Sequence, residues 1–89
     1  MHRTSKQEKL IERFKTLPKD FTWEELVRLF GYFGFAIDNK GKTSGSRVRF
    51  VNEPDNMVYE LHKPHPKNVI KEVALKRILL FLKDNNCIK

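Results

Sequence analysis

Apolar positions recur at helical spacing in three stretches of the chain and alternate in three shorter ones between the second and third of these. Leu10, Ile11, Phe14 and Leu17 fall on one face of a helix predicted from Ser5 to Leu17. Ser5 and Glu8 have the spacing of a capping box ahead of it, and Pro18 stops it. A second capping pair, Thr22 and Glu25, opens a stronger amphipathic helix through Trp23, Leu26, Val27, Phe30 and Phe33. Gly34 suits the end of that helix because glycine enters the left-handed conformation without a Cβ penalty. Gly31, inside it, costs about 1 kcal/mol relative to alanine, and close packing against a strand would explain its presence.

Phe35 to Asp38 reads as a short strand with Phe35 and Ile37 on one face. A loop rich in Gly, Ser and Lys spans residues 39–46. Arg47 to Asn52 is the second strand, with Val48 and Phe50 on one face and Arg47, Arg49 and Val51 on the other. Glu53-Pro54-Asp55-Asn56 is a turn. Met57 to His62 is the third strand, and either of its faces is apolar enough to be the buried one. Pairing Asn52 with Met57 across the turn sets Arg47 opposite His62, pointing to the same side.

After a stiff connector, Lys63 to Lys67, Asn68 is placed to cap a last helix. Its apolar face is Ile70, Ala74, Ile78, Phe81 and Leu82, widened by Val73 and Leu75. The order helix, helix, three antiparallel strands, helix is an α+β architecture. Helices must cover one face of such a sheet, and the other is left to bind something. Trp23, Phe50 and Tyr59 belong to the core on this reading.

Charge changes the picture. The 89 residues suffice for one small domain, and the net charge of +7 favours a polyanion or an acidic protein as partner. The excess is concentrated. Lys40, Lys42, Arg47 and Arg49 occur in a block without an acid, and so do Lys63, Lys67 and Lys71 with His62 and His65. The lone Cys87 can make no internal disulfide, which suits a reducing compartment. No apolar run is long enough to span a membrane and the N-terminus has no apolar signal core, so a cytoplasmic location is expected. No metal-ligand set is apparent, and no cofactor is expected. Gly41-Lys42-Thr43 lacks the upstream glycine and following helix of a phosphate-binding loop. Glu24 and Glu25 suit a helix start and are no catalytic pair.

Histidines beside fixed cations suit a phosphodiester partner: the cations hold the phosphate while imidazole exchanges protons near neutral pH. His62 then takes the proton of a ribose 2′-hydroxyl, and Arg47 and Arg49 stabilise the charge that builds on the phosphate. Alternatively His62 only solvates a strand end. His65, between two prolines, either binds phosphate or carries the second proton, or it fixes the turn through a backbone hydrogen bond. Lys40, Lys42, Lys63 and Lys67 would contact the backbone of a nucleic acid, with Lys76 and Arg77 extending the surface. The start of the last helix offers a further phosphate contact.

From about Thr22 to Asn85 the chain resembles the HicA toxins of bacterial toxin–antitoxin pairs. The resemblance rests on Gly34-Phe35, Gly45-Ser46, Phe50 four residues after that serine, His65-Pro66, Ile70-Lys71 and the run Leu75-Lys76-Arg77-Ile78-Leu79. It implies a double-stranded-RNA-binding-domain-like fold, with a three-stranded antiparallel sheet packed on helices. Residues 1–20 would be an N-terminal helical extension and 21–89 the HicA-like domain. It also implies a metal-independent endoribonuclease acting on messenger RNA, with Ser46 among the RNA contacts, and a cognate HicB-like antitoxin as partner. The family typically has its catalytic histidine directly after the Gly-Ser pair, where this chain has Arg47. Two alternatives therefore stand beside the toxin reading: a non-catalytic RNA-binding module of the same fold, and a basic protein-interaction domain.

Overall fold

The computed structural model describes residues 5–38, 47–64 and 67–88. Among them are helices α1 (Lys6–Lys15), α2 (Trp23–Tyr32) and α3 (Glu72–Asp84), and strands β1 (Ala36–Ile37), β2 (Arg47–Asn52) and β3 (Met57–His62). The architecture is α+β, in the order expected, and is consistent with the double-stranded-RNA-binding-domain-like fold.

Local chemistry sets the helix starts. The Ser5 hydroxyl accepts the Glu8 backbone N–H at 3.0 Å. Thr22 and Glu25 form the full reciprocal box, satisfying two backbone donors that α2 would otherwise leave free. Just past the Thr16 C-cap, Leu17 takes the left-handed conformation at φ 54° and Pro18 follows, which ends α1 and separates it from α2. The Arg13 guanidinium then joins the two helices by bonding Asp20 and Glu25, each at 3.0 Å.

The end of α2 depends on Gly34, at φ +87°. The Phe35 N–H still donates to the Phe30 carbonyl, so Phe35 belongs to the helix end and β1 is shorter than the alternation predicts. Its ring is buried, and Ile37, opposite Phe50, lies on the same helix side of the sheet as expected but is exposed at the edge strand. Gly31 also departs from expectation: a Cβ there would meet nothing within 4 Å, so close packing does not account for it.

The sheet has the order β1-β2-β3, antiparallel throughout. Met57, Tyr59 and Leu61 are the half-buried positions of β3, and Val58, Glu60 and His62 are exposed. That resolves the face the sequence leaves open. Inside, the Phe30 ring stacks on Phe50 with centroids 4.3 Å apart, and Trp23, Phe35 and Tyr59 surround this pair. Phe81 of α3 meets Tyr59 at 4.8 Å, and Leu10 and Phe14 of α1 join the same core.

The beginning of α3 differs from the prediction. Its N-cap is Lys71, without a side-chain bond, and not Asn68. Residues 68–70 are instead drawn into a bridge against the start of α2. The Trp23 N–H donates to the Asn68 carbonyl at 3.0 Å and the Ile70 N–H to the Phe21 carbonyl at 2.7 Å. The Asn68 amide donates to the Glu24 carboxylate. The turns that follow bury Leu75, Ile78 and Leu82, and leave Val73 63% exposed, outside the apolar face expected to include it.

Candidate functional site

β2 and β3 present a row of polar side chains on the sheet face away from the helices. Arg47 lies opposite His62 and Arg49 opposite Glu60, in the register inferred from the turn. Directly opposed residues hold their Cβ atoms about 4.5–5.5 Å apart, so a guanidinium and an imidazole can reach one phosphate together. Both residues are exposed. The Arg49 Nε sits 4.0 Å from the Asp38 carboxylate at the end of β1, which holds that guanidinium over the sheet.

At the end of β3 the sheet face meets an open cleft of about 790 Å³. The bridge between residues 22 and 69 creates it by bringing the α1–α2 connection and the segment before α3 together beside the strand end. His62 and Lys63 lie on its strand side, Lys67 and Lys71 on the side of α3, and Lys19 comes from the α1–α2 connection. The Lys63 ammonium stands 5.9 Å from the centre of the Trp23 ring. Among the described residues none of Lys19, Lys67 and Lys71 is in an ion pair. Four ammonium groups around one hollow, with Glu72 the acid among the described lining residues, attract an anion.

Of the residues proposed from sequence, Arg47, Arg49, His62, Lys63 and Lys67 are thus gathered along β2, β3 and the cleft. Lys40, Lys42, Ser46 and His65 lie outside the described residues. Lys76 and Arg77 are exposed on α3, which packs through Phe81 on the opposite face of the sheet from Arg47. They do not extend the surface around Arg47. Sequence reasoning did not assign Lys19 or Lys71 to the site. Lys71 carries a signal, since it closes the acid-free block that contains His62. Lys19 carries none, because only the bridge brings it near.

Other reactive groups are set apart from this surface. Burial raises the Tyr59 phenol and the Cys87 thiol above their ordinary ranges, which disfavours phenolate and thiolate. Among the described residues no group of His, Cys, Asp and Glu could hold a metal ion, and no helix is long and apolar enough to cross a membrane.

No curated protein and no solved structure matches the chain. The family described as HicA toxin of bacterial toxin–antitoxin matches residues 23–85, a segment that runs from the first residue of α2 to just past the end of α3 and so contains the sheet and both core helices. On this match the chain belongs to the HicA toxin family.

Proposed function

We propose that this chain is the toxin of its toxin–antitoxin pair and acts in the cytoplasm as an endoribonuclease on messenger RNA, without a metal ion. The observation that carries the reading is the placement of Arg47 directly opposite His62 on the exposed sheet face. His62 accepts the proton of a ribose 2′-hydroxyl. The freed 2′-oxygen bonds to the adjacent phosphorus, the bond from phosphorus to the 5′-oxygen of the next nucleotide breaks, and that oxygen takes up a proton. Negative charge grows on the non-bridging oxygens during this step. Arg47 and Arg49 are fixed cations beside it, where stabilisation of developing charge contributes most. His65 is the candidate second proton carrier. Lys40, Lys42, Ser46, Lys63 and Lys67 hold the RNA backbone, which supplies affinity with little choice of sequence. The intramolecular nucleophile makes a metal unnecessary for the attack. Residues 1–20 are an addition to the domain of residues 21–89, and the antitoxin blocks the basic face.

Arg47, at the position where the family typically has its histidine, favours a second reading: an RNA-binding member of the fold that no longer cleaves. The deciding experiment incubates the purified chain with a long single-stranded RNA in EDTA, beside His62→Ala and Arg47→Ala. The first reading expects discrete fragments from the wild type. Loss of the proton acceptor should slow cleavage by about 10²–10⁴-fold, and loss of the cation by about 10²–10³-fold, with RNA still bound. RNA bound but left intact by the wild type establishes the second reading. Cleavage unchanged in His62→Ala removes the role given to His62.

A further inference from the structure

We infer that the cleft at the end of β3 seats one unstacked nucleotide of a single-stranded RNA, with its base on an apolar floor and its phosphates on a lysine rim that includes Lys19. This rests on the RNA reading above. It adds the form of the substrate and gives a binding role to a residue that precedes the matched segment 23–85.

The floor and rim are chemically distinct. Leu61, Val69, Ile70 and Ala74 are the buried and half-buried part of the lining, its floor, and Lys19, Lys63, Lys67 and Lys71 are its exposed part, the rim. A solvated charge cluster needs no apolar floor, and a purely apolar groove has no use for four ammonium groups. A nucleotide matches both, since its base offers flat apolar faces and its phosphates offer the charge. The cleft volume of about 790 Å³ lies in the range of small-ligand sites. A base in a duplex is paired and stacked and cannot enter without being extruded, at a cost in stacking and pairing energy. A base in a single strand gives up no pairing and gains burial of its apolar faces on the aliphatic lining. The cleft therefore selects single strands on a fold whose name refers to duplex RNA.

His62 belongs both to the cleft lining and to the sheet face that carries Arg47. A nucleotide held in the cleft thus places its neighbouring phosphodiester at the Arg47–His62 pair. Lys19 reaches the site because the Thr22–Val69 bridge docks the α1–α2 connection beside the segment before α3. On this inference the N-terminal extension helps bind substrate as well as completing the core.

The test uses a 2′-O-methylated oligoribonucleotide, which lacks the free 2′-hydroxyl and stays intact, and a blunt duplex of the same sequence. Binding is followed by fluorescence anisotropy over a salt series for the wild type, Lys19→Ala/Lys71→Ala and Ala74→Leu. Circular dichroism confirms that each variant is folded. The wild type should bind the single strand about tenfold or more tighter than the duplex, the gain expected from burying roughly 60 Å² of base on the aliphatic lining. Removing two lysines should flatten the slope of log affinity against log salt by about 1.4, at roughly 0.7 per single-strand contact. Filling the floor with Ala74→Leu should weaken the single strand about tenfold, by excluding the base from its buried position, while leaving that slope unchanged. Equal binding of single strand and duplex, an unchanged slope in the double variant, or unchanged binding by Ala74→Leu each overturns the cleft as the nucleotide seat. If long RNA is still cut in that case, the ribonuclease reading stands. A wild type that neither binds nor cuts RNA overturns both.

Discussion

Gly34→Ala is expected to destabilise the domain severely through two effects that can be separated. Gly34 holds φ +87° at the end of α2. A left-handed backbone costs an L-residue roughly 1–2 kcal/mol. The added Cβ would also lie 3.0 Å from Nδ2 of Asn52, a buried polar side chain at the end of β2. That Nδ2 donates to the Phe33 carbonyl at 2.9 Å and to the Asp55 carboxylate at 3.3 Å, and Oδ1 of Asn52 accepts the Asp55 N–H at 3.1 Å. Asn52 thereby ties the end of α2 to the β2–β3 turn, and moving it leaves a buried donor poorly satisfied, at about 1–3 kcal/mol. The total is about 2–5 kcal/mol, against a stability of about 5–15 kcal/mol for a typical domain. At about 4–8 °C per kcal/mol for a domain of this size, Tm should fall by at least about 8 °C. Urea unfolding followed by the fluorescence of buried Trp23 measures the loss as a lower midpoint at unchanged slope. In an Asn52→Ala background the contact is gone, so Gly34→Ala should cost only its conformational part, with a coupling of about 1 kcal/mol or more. A single-variant loss below about 0.5 kcal/mol, or full additivity with Asn52→Ala, would refute the reasoning.

Other substitutions probe separate parts of the structure. Phe50→Ala removes a fully buried ring stacked on Phe30 and should cost about 3–5 kcal/mol by urea denaturation. Thr22→Ala breaks the capping box of α2 and should cost about 1 kcal/mol, whereas Thr22→Ser should restore most of it. The hydrogen bonds from Arg13 hold the Glu25 carboxyl below the usual carboxylate range. A depressed folded-state pKa gives stability that is present above the unfolded value of about 4.3 and lost as the pH falls through the folded one. Arg13→Met should therefore shrink the stability difference between pH 7 and pH 3. Arg49→Gln removes a half-exposed ion pair with Asp38 and should change stability by less than about 1 kcal/mol. It should also flatten the salt dependence of single-strand RNA binding by about 0.7.

Much of the molecule follows from sequence-local chemistry. Ser5 and Thr22 start their helices because their hydroxyls lie three residues before a free N–H, and Gly34 ends α2 because it lacks a Cβ. The short Glu53–Asn56 turn admits one pairing of its flanking strands, so Arg47 opposite His62 is already contained in the spacing. The alternation in β2 identifies its buried face, and the family pattern within residues 23–85 is equally a matter of order along the chain. Three features needed the tertiary structure. The buried face of β3 depends on Phe30 and Phe81 packing against Tyr59, since both faces are apolar enough in sequence. The start of α3 depends on the Thr22–Val69 bridge, which uses backbone groups that a local rule would give to a cap at Asn68. The lysine cleft depends on the same bridge, which brings Lys19 beside Lys67 and Lys71 from a distant part of the chain. Capping, turn and alternation signals act within a few residues and can be read along the chain; a hydrogen-bonded bridge between two connectors joins distant residues whose local sequences carry no record of each other.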